Sequence, residues 1–275
     1  MRFALDTPNF GDYSNPRLLA ELAREAELAG WDGFFLWDHI GAGWAFPIGD
    51  PWITLAAMAM STEHIKLGTL VTPLPRRRPW KLARETVTLD HLSHGRLILG
   101  VGIGSDSEKE YSCFGEVGDD RLHGAMLDEG LDVLVGLWSG EPFSYSGKYY
   151  TIQQAHFLPT PVQSPRIPIW VADVWPHKRP LCRAAAWDGI VPFAIDRVLT
   201  PDEIHSIVSY TRERRVRAEP FDVAYGFPDF EKNLTSDYLR AYAQAGVTWW
   251  LECSSWNHSL AEVRERIRRG PPRSE

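Results

Sequence analysis

Three short stretches put chemistry-bearing groups where a folded chain would present them. The first is Asp38-His39, which follows the apolar run Phe34-Phe35-Leu36-Trp37. An imidazole titrates near neutrality, so at a strand end it can act as general acid or base, and a neighbouring carboxylate can tune it. The second is His177-Lys178-Arg179, just ahead of a short helix; cations beside unpaired helix N–H groups suit a phosphate. The third is Gly100-Val101-Gly102-Ile103-Gly104, where missing side chains let a flat ligand come close to the backbone. Its spacing is not the G-x-G-x-x-G of a dinucleotide fold, and it does not follow the first strand of a domain. In isolation each also fits a plain role: a structural histidine, a solvated turn, a tight strand exit. His91 and His94 end a helix beside Gly95 and make a poor metal-ligand pair, so no metal site is expected.

These groups need elements to hold them. Lys66 to Val71 reads as a strand, Pro79 to Leu92 as a helix and Leu97 to Val101 as a second strand. Pro79 suits the first helical turn, and Gly95 stops the helix. The same alternation runs along the chain. Strands are expected at Arg2 to Asp6, Phe34 to Trp37, Ile167 to Ala172, Gly189 to Val191, Phe221 to Phe227 and Val247 to Leu251. Helices open at Asn15-Pro16, near Pro51, before Leu127, near Leu181, at Thr200-Pro201 (running to about Arg217), near Asp237 and at Ser259. Between the fourth and fifth strands, Ser139 to Pro165 breaks the pattern with a hairpin-like Tyr145 to Tyr150 and a proline-rich connector. Eight strands alternating with helices over 275 residues predict an α/β fold, a (β/α)8 barrel, as one domain over residues 1–275. Active-site groups would then stand at the C-terminal strand ends.

Composition removes several classes. A net charge of −7 gives no reason to expect nucleic acid. No window approaches the ~20 apolar residues of a membrane span, and no signal-peptide core is visible. Three scattered cysteines, Cys113, Cys182 and Cys253, argue against a disulfide framework and for a cytoplasmic location. Twelve tryptophans are more than one core usually needs, so some are expected to line a cavity for a flat ligand.

The blocks LGTLVTPLP at 67–75, LDHLSHGR at 89–96 and LILGVGIG at 97–104 resemble the luciferase-like monooxygenase superfamily. So do WDH at 37–39, LWSGEPFSYSGKYY at 137–150, PVQSPRIPIWVA at 161–172 and RAAAWDG at 183–189. The resemblance implies a (β/α)8 barrel that binds FMN or the deazaflavin coenzyme F-420 and acts as an oxidoreductase on a small-molecule substrate, with a homodimer as a further expectation. By position, it implies that His39 is the catalytic imidazole, with Asp38 beside it. Asp38 and Trp44 would lie near the ring, Leu70-Val71-Thr72 would form the site where members carry a non-proline cis peptide, and Gly102, Gly104 and Ser105 would run along the cofactor. Members commonly have two glycines after the fifth strand to bind the cofactor phosphate. Here Ala172-Asp173 stands there, which moves the expected phosphate site to His177, Lys178 and Arg179. An acidic role after the fourth-strand glycines would fall to Asp106. The competing readings are a non-catalytic flavin-binding barrel and, in a different class, a metal-dependent barrel hydrolase.

Overall fold

The computed structural model describes residues 1–41, 43–216, 219–227, 235–254 and 258–272. Eight parallel strands close into a barrel: β1 (Arg2–Thr7), β2 (Gly33–Leu36), β3 (Lys66–Pro73), β4 (Leu97–Gly102), β7 (Ile169–Val174), β8 (Gly189–Phe193), β9 (Asp222–Phe227) and β10 (Trp249–Cys253). β5 (Phe143–Ser146) and β6 (Thr151–Ala155) form a separate antiparallel hairpin inside the insertion. The helices are α1 (Pro16–Leu28), α2 (Pro51–Ser61), α3 (Pro79–Leu92), α4 (Asp120–Trp138), α5 (Lys178–Ala184), α6 (Pro201–Arg212), α7 (Ser236–Ala245) and α8 (Leu260–Arg269). This is the expected (β/α)8 barrel with a hairpin between its fourth and fifth strands. α6 ends at Arg212, earlier than the apolar pattern suggests, and Arg217 lies outside the described residues.

Local chemistry explains most boundaries. Asn15 accepts from Arg17 N–H at 3.0 Å ahead of Pro16, and Asp50 accepts from Ile53 N–H at 2.9 Å ahead of Pro51. Thr200 and Ser259 open α6 and α8 with reciprocal capping boxes to Glu203 and Glu262. The insertion is tied to α3 by Asp90, which accepts from Val162 N–H at 2.7 Å and Gln163 N–H at 3.1 Å. His91, in the same turn, bonds the Thr160 carbonyl at 2.7 Å.

Two apolar layers result. Leu, Ile and Val on the outer strand faces meet the helices. Inside the barrel Ala4, Phe35, Leu70, Ile98, Trp170, Ala224 and Trp249 form a second cluster. Phe35, Trp170 and Trp249 fill its centre, with ring centroids 5.4 Å apart for Phe35–Trp170 and for Trp170–Trp249. Gly33 and Gly189 make room for them: a Cβ there would lie 2.9 Å from Phe35 and Trp249, and 2.4 Å from Trp170, respectively. Thus two of the tryptophans plug the barrel. Trp37 and Trp44 stand instead around its C-terminal opening. No helix among the described residues is long and apolar enough to cross a membrane.

Candidate active site at the barrel mouth

His39 follows β2 by three residues, and its main chain is held on both sides by Asn9. The Asn9 amide donates to the carbonyls of His39 at 2.8 Å and Gly49 at 2.7 Å, and its oxygen accepts from His39 N–H at 3.1 Å. Nδ1 of the His39 ring lies 3.2 Å from Oε2 of Glu110. The other oxygen of Glu110 accepts from Ile40 N–H at 2.8 Å and Gly41 N–H at 2.9 Å, and Arg76 donates to Oε2 at 2.8 Å. Burial pushes the Glu110 carboxyl up. Hydrogen bonds from His39 and Gly41 and the Arg76 charge outweigh that and hold it at about 2. A permanent carboxylate at Nδ1 assigns the ring hydrogen to Nδ1 in the neutral imidazole and leaves Nε2 as the lone-pair nitrogen. The side chain is 30% exposed, so the ring reaches the barrel mouth. Phe10, Trp37 and Trp44 surround the ring, with Trp44 nearest at 4.8 Å between centroids. Trp44 is fixed by its indole N–H, which donates to Glu108 at 2.8 Å.

Asp38 takes a different part. Its buried carboxylate accepts from Thr72 at 2.7 Å, from Arg77 at 2.9 Å on both oxygens and from Arg76 at 3.0 Å. The carboxylate beside the imidazole is therefore Glu110, and Asp38 anchors the arginines. Arg76 and Arg77 come from the turn after β3, so one pair of guanidiniums ties the exits of β2, β3 and β4 together. Asp106 is a turn-capping residue: its carboxylate accepts from Tyr111 N–H at 2.9 Å and Ser112 N–H at 3.0 Å. Asp6 flanks the mouth on the neighbouring strand, at the end of β1. Trp37 donates to it at 3.0 Å, and Cys253 lies 3.4 Å away. Burial, against those two bonds, pushes its carboxyl up to about 7.

Along the exits of β3, β4 and β7 the mouth is lined by small groups. The Leu70–Val71 peptide bond is cis. A Cβ on Gly102 would lie 2.8 Å from Val71 Cγ2 and 3.5 Å from Ala172 Cβ, so Gly102, Val71 and Ala172 make a continuous flat wall. Gly104 has a φ of 73°, and a Cβ there would meet the Tyr111 hydroxyl at 2.7 Å. Residues 1–268 match the family model for luciferase-like monooxygenases. The chain belongs to the luciferase-like monooxygenase family.

Among curated relatives, the chain is 32% identical over 181 residues to an F-420-dependent glucose-6-phosphate dehydrogenase of Nakamurella multipartita, covering 64% of this chain and 52% of that protein. It is 30% identical over 154 residues to the oxygenase component of a flavin-dependent trigonelline monooxygenase of Acinetobacter baylyi, covering 56% and 42%. The chain spans about half the length of the curated relatives it matches. The fold superposes on the coenzyme F-420-dependent tetrahydromethanopterin reductase of Methanopyrus kandleri with a TM-score of 0.77 at 18% identity, covering 98% and 96% of the two chains. An F-420-dependent secondary alcohol dehydrogenase gives 0.78 at 18% identity, covering 97% and 96%.

Ala172-Asp173, expected at the phosphate position, lie within β7. Trp170 and Ala172 face the barrel interior, whereas Ile169, Val171 and Asp173 face the helices. Asp173 is fully buried there, with both carboxylate oxygens lacking a protein partner, and burial pushes it up to about 7 against the pull of Arg183. His177, Lys178 and Arg179 are exposed at the start of α5, and Lys178 lies 5.6 Å over the Tyr210 ring. The structure thus brings His39, Trp44, Leu70, Val71, Gly102 and Ala172 around one opening, with Thr72 beneath on Asp38 and the exposed Ser105 bonded to Ser107 at 3.1 Å. It sets Lys178 in the outer layer. Sequence reasoning missed Asn9, Arg76, Arg77, Glu108 and Glu110. One signal was present: Arg76-Arg77-Arg78 directly after a buried strand requires carboxylate partners if any of the three is buried.

Proposed function

We propose that this chain is a flavin- or deazaflavin-dependent oxidoreductase, working as one barrel domain on a small organic substrate at the C-terminal mouth. The observation that carries this reading is the pairing of His39, oriented by Glu110, with a wall of small groups at Val71, Gly102 and Ala172 on the same barrel mouth. The wall of Val71, Gly102 and Ala172 fits a planar ring, because the missing Cβ at Gly102 lets Val71 and Ala172 close over the β4 exit with no side chain projecting from it. When bound, F-420 supplies hydride exchange, and FMN supplies reaction with dioxygen. Val71, Gly102 and Ala172 would hold the ring, and Trp44, Phe10 and Trp37 around His39 would exclude water. His39 Nε2 takes a proton from, or returns it to, the substrate atom that changes charge. Glu110 keeps Nδ1 hydrogen-bonded through both protonation states, so the imidazole cycles without turning. The neighbours in the family include both chemistries, a dehydrogenase and a monooxygenase component, and both cofactors stay in the proposal. Three free cysteines fit a reducing cytoplasm. A homodimer is part of the same reading.

The test is titration of the full chain with FMN and with F-420 separately. Binding of neither overturns the reading. Glucose 6-phosphate with F-420 and trigonelline with reduced FMN, the compounds named for two relatives, are the first assays. His39→Ala is expected to leave cofactor affinity within a few-fold while turnover falls by about 10²–10⁴. Unchanged turnover would remove His39 from the mechanism.

A further inference from the structure

Ala4 of β1 belongs to the inner cluster, so alternation turns Asp6 inward as well, one layer nearer the mouth. Its register partners, Phe35 on β2 and Cys253 on β10, are members of the same cluster. The residue is 6% exposed, and Oδ2 takes two bonds, from the Trp37 indole N–H at 3.0 Å and the Cys253 thiol at 3.4 Å. Oδ1 has no protein partner, so these two neutral donors are what supports a charge there. Trp37 carries the contact toward His39. Its backbone N–H donates to the Thr7 carbonyl at 3.0 Å, so main chain and ring are both tied to β1. The ring meets the His39 imidazole edge-on, with centroids 5.9 Å apart, and Phe10 at 5.8 Å; Phe10 in turn lies 4.9 Å from Trp44. One hydrogen bond at the foot of the aromatic wall thus fixes the indole that packs on the imidazole.

That bond changes strength when Asp6 titrates, because a bond to an ionised acceptor is roughly twice as strong as one between neutral groups. Burial pushes the carboxyl up to about 7, and no charged side chain acts on it to reverse this. The Cys253 thiol stays protonated, since burial and Asp6 push it up. Glu252, next to it on β10, is engaged by Arg266. Tyr13 is pushed up to about 12 by burial and by Asp12, and Thr7 and Ser254 are bonded to each other at 3.0 Å. Within the contact of Asp6, Trp37 and Cys253, only Asp6 ionises near neutral pH. We propose that Asp6 is a positioning residue for the reaction at His39: it holds the Trp37 indole against the imidazole, loosely as the acid and firmly as the carboxylate. Its effect on turnover rests on the oxidoreductase reading; its hold on Trp37 does not.

The experiment follows the tryptophan indole N–H signals of the full chain by NMR from pH 5 to pH 9, without cofactor. One signal, identified as Trp37 by its loss in Trp37→Phe, is expected to move downfield with a midpoint near 7. It should stay in place in Asp6→Asn, which keeps an acceptor oxygen but cannot ionise. A Trp37 signal that ignores pH in the natural chain, or moves alike in Asp6→Asn, overturns the inference. Cys253→Ala keeps the test decisive if Asp6→Asn does not fold. It removes the other donor and leaves the carboxyl, so the Trp37 midpoint should rise; an unmoved or lowered midpoint also overturns the inference. Turnover is then read with the cofactor that binds, as the ratio of natural chain to Asp6→Asn, in which the titration of His39 itself cancels. The ratio of kcat is expected to grow about fivefold between pH 5.5 and pH 8.5 at unchanged KM, the difference between a charged and a neutral hydrogen bond. A flat ratio in an enzyme that binds its cofactor would remove Asp6 from the reaction. Binding of neither cofactor would instead sink the oxidoreductase reading, while the Trp37 signal still decides the contact.

Discussion

Two buried carboxylates, Glu110 after β4 and Asp173 on β7, stand at neighbouring strand exits and have opposite fates. Glu110 accepts from a ring nitrogen, two backbone N–H groups and a guanidinium, and is held at about 2. Asp173 accepts from nothing on the protein and is pushed up to about 7. Burial alone cannot explain the difference, because both are shielded from water. Donor count decides it. Desolvation raises a carboxyl in either place, and only converging hydrogen bonds and a cation reverse it. The β4 exit is thus built to keep a permanent negative charge beside His39. The β7 exit holds a group that stays neutral until near pH 7.

Asp173 is where the contrast should be largest in solution. Its value rises from the ordinary 3.8 to about 7, so its contribution to stability is fully present below 3.8 and is lost as pH rises through 7. A rise of that size corresponds to about 4 kcal/mol at pH 8. Asp173→Asn cannot titrate. It is expected to gain stability over the natural chain as pH goes from 4 to 8, approaching that figure in urea unfolding. A stability difference flat with pH would mean that Asp173 finds a partner in solution. Asp6, also pushed up to about 7, should contribute a parallel decline that Asp173→Asn leaves in place.

At Glu110 the sign is reversed. A value lowered from 4.5 to about 2 gives stability present above 4.5 and lost as pH falls through 2. Glu110→Gln is expected to cost about 3 kcal/mol at pH 7, with the deficit shrinking toward pH 2. Because the same change weakens the acceptor that orients the ring at Nδ1, turnover is expected to fall by about tenfold at unchanged cofactor affinity. Unchanged turnover would separate the two residues and leave Glu110 only a structural role.

How much of this could be read in the sequence follows from the range of each interaction. The barrel was legible because its signals are local: continuous apolar strands, Asn15-Pro16 and Thr200-Pro201 at helix starts, Gly30 and Gly95 at helix ends. His39 and Gly102 were legible from their place at strand exits. The acid was not. Asp106, Glu108 and Glu110 lie in one polar loop and look equivalent. What distinguishes them is Arg76, 34 residues upstream of Glu110, and the turn at Tyr111–Ser112 that engages Asp106. Asp173 failed for a smaller reason. The apolar run stops at Ala172, but the strand continues, and one further residue of alternation turns the carboxyl from the mouth to the helix layer.

The mildest test concerns the loop that carries Trp44. Its indole N–H donates to Glu108 at 2.8 Å, and its ring stacks on Phe46 with centroids 5.3 Å apart and lies 4.8 Å from His39. Glu108 joins this loop to the β4 exit through a single side-chain bond, where Glu110 does so through several. Glu108→Ala therefore should cost only about 1 kcal/mol in urea unfolding, the net worth of one partly exposed hydrogen bond. Its effect should appear instead in Trp44 fluorescence, as a red shift when the freed indole meets more water. A stability loss equal to that of Glu110→Gln would show that the two acids act as one unit. It would also show that the anion beside His39 depends on the aromatic wall as much as on Arg76.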